Sequence, residues 1–161
     1  TETAQALGVV GMAARSSGVD IDTRFDFNDK WYTSLDVVKP FKATGDVHSR
    51  FKLRYKEIKQ SMQIVKKLLD KLKEFRNEQI LTNPNKTLAP NAFAISMTEG
   101  WRGEIVHIAL TGANGELLRY KMKDPSFNNW YMLAMAVRNN GDSDFPLCNK
   151  SFNLSYCGND L

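Results

Sequence analysis

GDVHSRFKLRYKEIKQSMQIVKKLLDKLKEFR, residues 45–76, reads as one long amphipathic helix. Asp46 suits the N-cap, because a carboxylate there accepts from the free backbone N–H groups of the first turn. Val47, Phe51, Tyr55, Ile58, Met62, Val65, Leu69 and Leu72 then recur at steps of three and four, an unbroken apolar stripe with Lys and Arg on the other face. Thirty residues at helical rise extend about 45 Å, the length of a whole domain. The helix is therefore the axis on which the rest of the chain is arranged.

The same stretch carries the charge. Between residues 46 and 76 stand ten Lys and Arg against four acidic residues, whereas the remainder holds twelve against fourteen. A basic helix face is a solvated surface or a contact for an acidic partner more often than a nucleic-acid site. No aromatic residues interleave with the basic face as a base-stacking platform, which argues against nucleic acid.

Outward toward the N-terminus, residues 3–16 predict a helix, with Ala4, Leu7, Val10 and Ala14 at helical spacing and Ser16-Ser17-Gly18 as its stop. Gly8 and Gly11 weaken it but would let another backbone approach closely. Residues 19–45 are rich in Asp and Asn and read as irregular, with one short helical stretch around 29–37. Outward toward the C-terminus, an Asn- and Pro-rich loop at 83–91 leads into strand character over 95–123. Glu104–Leu110 and Glu116–Lys123 flank an Asn114-Gly115 turn and predict a hairpin. Asp124-Pro125-Ser126 opens a helix through Trp130, Leu133, Met135 and Val137, closed at Asn139-Asn140-Gly141; residues 142–161 show no periodicity. Met62, Met132 and Met135 read as core packing. The expected class is α+β, predominantly α: a long central helix packed with shorter helices plus a small antiparallel hairpin.

The composition of the 161 residues, 42% hydrophobic and 25% charged, is that of one globular domain. No apolar run approaches the roughly 18–20 residues needed to span a bilayer. The opening TETAQALGVVGMAARSSG has neither an initiator Met nor the basic region of a secretory signal, so the chain is expected to be part of a longer polypeptide. Cys148 and Cys157 form no CxxC pair and are expected to be reduced thiols.

Five segments share one resemblance. GVVGMAARSSGVDIDTR at 8–24 resembles a Gly-x-x-Gly-x-x-x-Arg-x-Ser-Gly segment through Arg15, Ser17, Gly18, Asp22 and Arg24. GDVHSRFKLRYKEIKQS at 45–61 resembles Gly-Asp-Val-x-x-Arg-x-x-x-Arg-x-x-Glu-Ile-x-x-Ser, and EGWRGEIVH at 99–107 resembles Glu-Ala-Pro-Arg-Gly-Glu-Leu-x-His, with Trp101 in place of Pro. DPSFNN at 124–129 resembles an Ala-Pro-Ser-Phe-x-Asn turn. The last eleven residues, SFNLSYCGNDL, keep the register of Asp-Pro-Cys-x-x-Cys with its closing His or Arg. Asn153 then stands for the Asp, Leu154 for the Pro, Ser155 and Gly158 for the two Cys, and Leu161 for the closing residue. Together these resemble the C-terminal portion of nickel–iron hydrogenase large subunits and their relatives: membrane-associated energy-converting hydrogenases, formate hydrogenlyase and the 49-kilodalton-type quinone-site subunit of complex I.

The resemblance implies a single hydrogenase large-subunit-like domain over 1–161 whose N-terminal half, with its own CxxC, lies upstream. It implies an oxidoreductase module of a membrane-associated complex, on the cytoplasmic inner face through partner subunits. An iron–sulfur cluster is expected on a partner small subunit, and quinone is a possible substrate. The fragment alone is expected to be inactive, and the nickel–iron centre of the relatives is expected to be absent. Ser155 offers a poorly ionised hydroxyl where a thiolate would stand, and Gly158 offers no donor. Cys157 would need a register change to serve a metal, and one thiolate makes no site. By the same resemblance Arg102 overhangs the metal position, or else it pairs with Glu99 or Glu104. His107 matches a family His, or is a hydrogen-bonded residue of an apolar strand. Asp46, Arg50, Arg54 and Glu57 are spaced to pair along one helix face or across a subunit contact. The competing class is a non-catalytic assembly module that docks partners through the 46–76 helix.

Overall fold

The computed structural model describes residues 1–27, 30–75, 81 and 87–159, with only the backbone at Lys30, Trp31 and Asn159. Its elements in order are α1 (Glu2–Ala6), α2 (Gly11–Ser16), α3 (Thr23–Asp26), α4 (Lys30–Thr33), α5 (Val47–Leu72), β1 (Phe93–Gly100), β2 (Gly103–Thr111), β3 (Leu117–Lys123), α6 (Ser126–Ala136) and α7 (Phe145–Phe152). The α-dominant α+β class expected from the sequence is the one observed.

Helix α5 begins where the sequence predicts, with the Asp46 carboxylate accepting from Ser49 N at 2.6 Å. Its orientation is the reverse of the expected one. The buried residues are Ser49, Arg50 and Leu53, while Phe51, Tyr55, Ile58, Met62, Val65, Leu69 and Leu72 are exposed. At about 3.6 residues per turn the two sets lie on opposite sides of the helix. The inward face is mostly polar because its charged groups find partners on other elements. Met62, read as core, is 68% exposed. Residue 76 and residues 83–86 of the expected 83–91 loop lie outside the described residues.

The helix expected over 3–16 is broken in two. Gly8 and Gly11 both take left-handed φ values, +62° and +63°, and separate α1 from α2. This break brings two backbones together: a Cβ on Gly11 would lie 2.2 Å from Gly103 Cα, and Gly103 itself has φ +137°. Only glycine fits either position. The apolar core sits beside this crossing, where Ala4, Val9, Ala13, Ala14 and Val19 meet Leu133, Cys148 and Phe152. Helix α7 supplies two of these, so the aperiodic tail is in part a helix. Asn153 ends it in the left-handed conformation, a frequent helix stop.

The expected hairpin is a three-stranded antiparallel meander, order β1-β2-β3. Phe93–Gly100, whose pairing the sequence did not reveal, lies on β2 with Glu99 opposite Glu104. The turn before β3 uses Gly115 at φ +77°. Both outer strands are largely exposed, with Phe93, Ile95, Leu117 and Leu118 open.

Candidate functional site

Three arginines hold the stretch 151–153 at the end of α7. Arg50 donates through Nε to Ser151 Oγ at 2.8 Å, through Nη1 to Gly45 O at 2.7 Å, and through Nη2 toward Cys148 Sγ at 3.8 Å. Its guanidinium also covers the Phe152 ring. Arg54 donates to Ser151 O at 2.7 Å and lies over the exposed Trp101 ring. Arg102 donates through Nε to Asn153 O. Burial lowers the pKa of both Arg50 and Arg54, and Arg102 adds repulsion at Arg54. Arg102 therefore does not pair with Glu99 or Glu104: Glu99 is taken by Arg15, and Glu104 lies 3.5 Å from Lys123 Nζ. Nor do Asp46, Arg50, Arg54 and Glu57 form a ladder along α5. Asp46 caps the helix, the arginines reach α7, and Glu57 reaches Arg15.

Beyond Asn153 the chain folds onto the start of α6. Asp124 Oδ1 accepts from Ser126 N at 2.7 Å, Ser126 Oγ accepts from Ser155 N at 3.0 Å, and Ser155 Oγ accepts from Gly158 N at 3.0 Å. Trp130 Nε1 donates to Ser155 O, and its ring lies 5.0 Å from that of Tyr156. Gly158 is buried against Asp124: a Cβ there would lie 2.4 Å from Asp124 Cγ. Asp124 stands where the resembling turn has Ala, and its carboxylate fills the space a side chain at 158 would enter.

This geometry tests the fit of a nickel–iron centre directly. The motif would supply thiolates at Ser155 and Gly158, but neither residue carries sulfur. The Ser155 hydroxyl is engaged, and Asp124 closes the cradle at Gly158. Cys148 and Cys157 are free, the first buried and the second exposed. Among the described residues no three His, Cys, Asp or Glu side chains are grouped so as to hold a metal. The residues present do not fit that group. Leu161, aligned with the closing ligand, lies outside the described residues.

A second polar centre lies on the inward face of α5. Arg15 is 1% exposed and contacts Glu57 at 2.5 Å, Glu99 at 2.8 Å and Asp22 at 3.2 Å. Asp22 also takes Arg24 at 2.6 Å. Burial opposes the charge on Arg15, but Glu57 and Glu99 outweigh it and raise its pKa. Burial likewise opposes the charge on Asp22, but Arg24 and Arg15 hold its pKa below the ordinary value. For Glu99 burial dominates and, with Asp22 nearby, raises the pKa despite Arg15.

The two residues assigned by resemblance are not brought together. His107 lies in mid-strand on β2, opposite Ser96 and Met122, with Nδ1 against the Tyr120 hydroxyl. Four residues of β2, 103–106, lie between it and Arg102 in the turn, a separation of roughly 16 Å at strand rise. Two important residues escaped sequence reasoning. Asn129 accepts from Val10 N at 3.0 Å and donates to Val10 O and Arg102 O, clamping α6 to the glycine crossing. Asp124 seals Gly158. Both lie in DPSFNN, where a buried Asn among apolar helix residues was the available signal.

Comparison with known proteins agrees with this scaffold. Hydrogenase-4 component G of Escherichia coli is 31% identical over 157 residues, covering 93% of this chain and 28% of that protein. Membrane-bound hydrogenase subunit alpha of Pyrococcus furiosus is 33% identical over 153 residues, 86% of this chain and 35% of that protein. NADH-quinone oxidoreductase subunit 4 of Thermus thermophilus is 30% identical over 161 residues, 85% of this chain and 39% of that protein. The chain thus spans roughly a quarter to two-fifths of the length of such relatives. A chain of the membrane-bound sulfane sulfur reductase, an archaeal respiratory membrane complex, superimposes with a TM-score of 0.81 at 22% identity, over 96% of this chain and 43% of its own. Among the described residues no helix is long and apolar enough to cross a membrane. The respiratory-chain NADH dehydrogenase 49 kDa subunit family matches residues 1–92, more than half of the chain and including the α2 crossing and all of α5, and this chain belongs to that family.

Proposed function

We propose that this chain is the large-subunit-like module of a membrane-associated, multisubunit oxidoreductase that works without a nickel–iron centre. One observation carries the reading: the scaffold around the inherited ligand positions is intact, while Asp124 fills the space at Gly158. Arg54, stacked over Trp101, and Arg102 then fix the end of α7 instead of overhanging a metal. The redox partner in this reading is a small subunit carrying an iron–sulfur cluster, and quinone is the candidate acceptor. The complex would hold the chain at the cytoplasmic face of the membrane through partner subunits.

The test is to reconstitute the full-length subunit with its complex and assay hydrogen uptake beside quinone and dye reduction. Acceptor reduction without hydrogen turnover is expected. Nickel-dependent hydrogen turnover would overturn the proposal.

The apolar stripe of α5 supports a second reading, a non-catalytic assembly module. Seven large apolar side chains open along one helix face form a surface of the kind that partners cover. Pull-down from cells lacking the membrane arm separates the two. A stable complex with soluble partners alone, and no redox activity, favours assembly.

A further inference from the structure

The open stripe of α5 keeps a stricter period than an ordinary amphipathic helix. Phe51, Ile58, Val65 and Leu72 recur every seven residues, and Tyr55, Met62 and Leu69 stand between them, so the steps alternate four and three throughout. All seven side chains are 42–68% exposed. Such a repeat, held over three heptads, is the seam of a helix packed along another helix at a crossing angle of about 20°. It extends about 32 Å along α5. A helix that lies on a bilayer presents a broader apolar face than this two-column seam.

The flanks of the seam select the helix that fits it. Lys52, Lys59 and Lys66 directly follow Phe51, Ile58 and Val65, one in each heptad, and all three are exposed. The nearby acids are engaged elsewhere: Glu57 holds Arg15, Asp70 holds Lys73, and Asp36 holds Lys67. Among the described residues no carboxylate pairs with Lys52, Lys59 or Lys66, although Lys59 lies over the Tyr55 ring. The opposite flank carries Arg54, Ser61 and Leu68. A second copy of α5 therefore offers these lysines no counter-charge. In a parallel pair they would face Arg54, Ser61 and Leu68, and in an antiparallel pair they would face one another. The helix that fits is acidic along the edge that meets this row.

The lengths of the relatives point to its source. The chain spans 28% of one relative and 43% of the superimposed chain, so a polypeptide of this family holds more residues outside this stretch than within it. An apolar seam of this extent is seldom left open on a folded subunit. We propose that the seam is covered by a helix from the part of the same polypeptide that precedes Thr1, with an apolar heptad seam of its own and Asp or Glu against Lys52, Lys59 and Lys66. The inference does not rest on the redox reading, and it gives to the subunit itself the surface on which the assembly reading stands.

Zero-length carbodiimide cross-linking and hydroxyl-radical footprinting of the full-length subunit, purified away from its complex, test the cover directly. Lys52, Lys59 and Lys66 should cross-link to carboxylates that precede Thr1, and Met62 should resist oxidation as the buried Met12 does. Combining Lys52→Glu, Lys59→Glu and Lys66→Glu should abolish those links and open Met62 to oxidation. Lys56→Glu, on the exposed surface away from the seam, should change neither. The wild-type measurements need no variant to fold. If Met62 is oxidised freely in the subunit alone and is protected only by added partner subunits, or only on anionic vesicles, the proposal fails. Lysine cross-links between two copies, read by mixing isotopically labelled and unlabelled subunit, also overturn it.

Discussion

The two faces of α5 are built on opposite rules. Inward, Arg50, Arg54 and Glu57 surround Leu53, and each charge ends on a specific partner in α2 or the α7 end. Outward, the apolar stripe from Phe51 to Leu72 meets no cover among the described residues. Hydrophobic periodicity reports that a helix has two sides, but which side turns inward depends on what the other elements offer. Here they offer Ser151 and Arg15, groups that satisfy charge. The stripe is left for a surface beyond these residues, and the exposed β1 and β3 side chains share that character.

Substitutions on each side sharpen the contrast. The largest effect is expected from Arg15→Ala, which leaves Glu57, Glu99 and Asp22 buried without their shared cation; a loss of about 3–5 kcal/mol in denaturant unfolding follows. The pH dependence comes from the same cluster. Glu99 has a raised folded pKa, so the folded state holds its proton longer, and its contribution is present at low pH and lost as pH rises through that value. Asp22 has a lowered one, so its contribution is present above the ordinary aspartate range and lost as pH falls through the folded value. A pH series of unfolding curves should show both slopes, and Glu99→Gln should remove only the first.

Leu53→Ala, at 0% exposure, should cost about 2–5 kcal/mol. Met62→Ala on the outward face should stay within about 0.5 kcal/mol. Equal costs would mean that the stripe is covered within this chain. Gly158→Cys drives a side chain into Asp124 and should cost about 1–3 kcal/mol by thermal unfolding, with Asp124→Ala restoring part of it. Modest effects are expected toward the ends of α5. Asp46→Ala removes the cap for about 1 kcal/mol, and Lys67→Ala, which breaks an exposed and solvent-screened pair with Asp36, should change stability less than that.

Much of the architecture was readable because local chemistry determined it. Asp46 starts α5, Asn114-Gly115 turns the sheet, and of the two glycines in the first helical stretch Gly11 makes the close backbone approach that small residues there announced. What could not be read was set by distant contacts. Gly11 breaks its helix because Gly103, far along the chain, occupies the space beside it. The strand character from residue 95 was legible, but not the pairing of Phe93–Gly100, which is set by β2. Helix α7 lacks a long apolar period, and its place comes from Phe152 and Cys148 in the core together with the Arg50 contacts. Asp124 is a turn residue by its local sequence. Its contact with Gly158 appears only when the tail folds back.

Elemental analysis of the purified full-length subunit, expressed with nickel and its maturation factors, bears most directly on the closed position at Gly158. Nickel far below one atom per chain is expected, unchanged on mutating Cys157. One nickel per chain, lost when residues near Ser155 are altered, would contradict it.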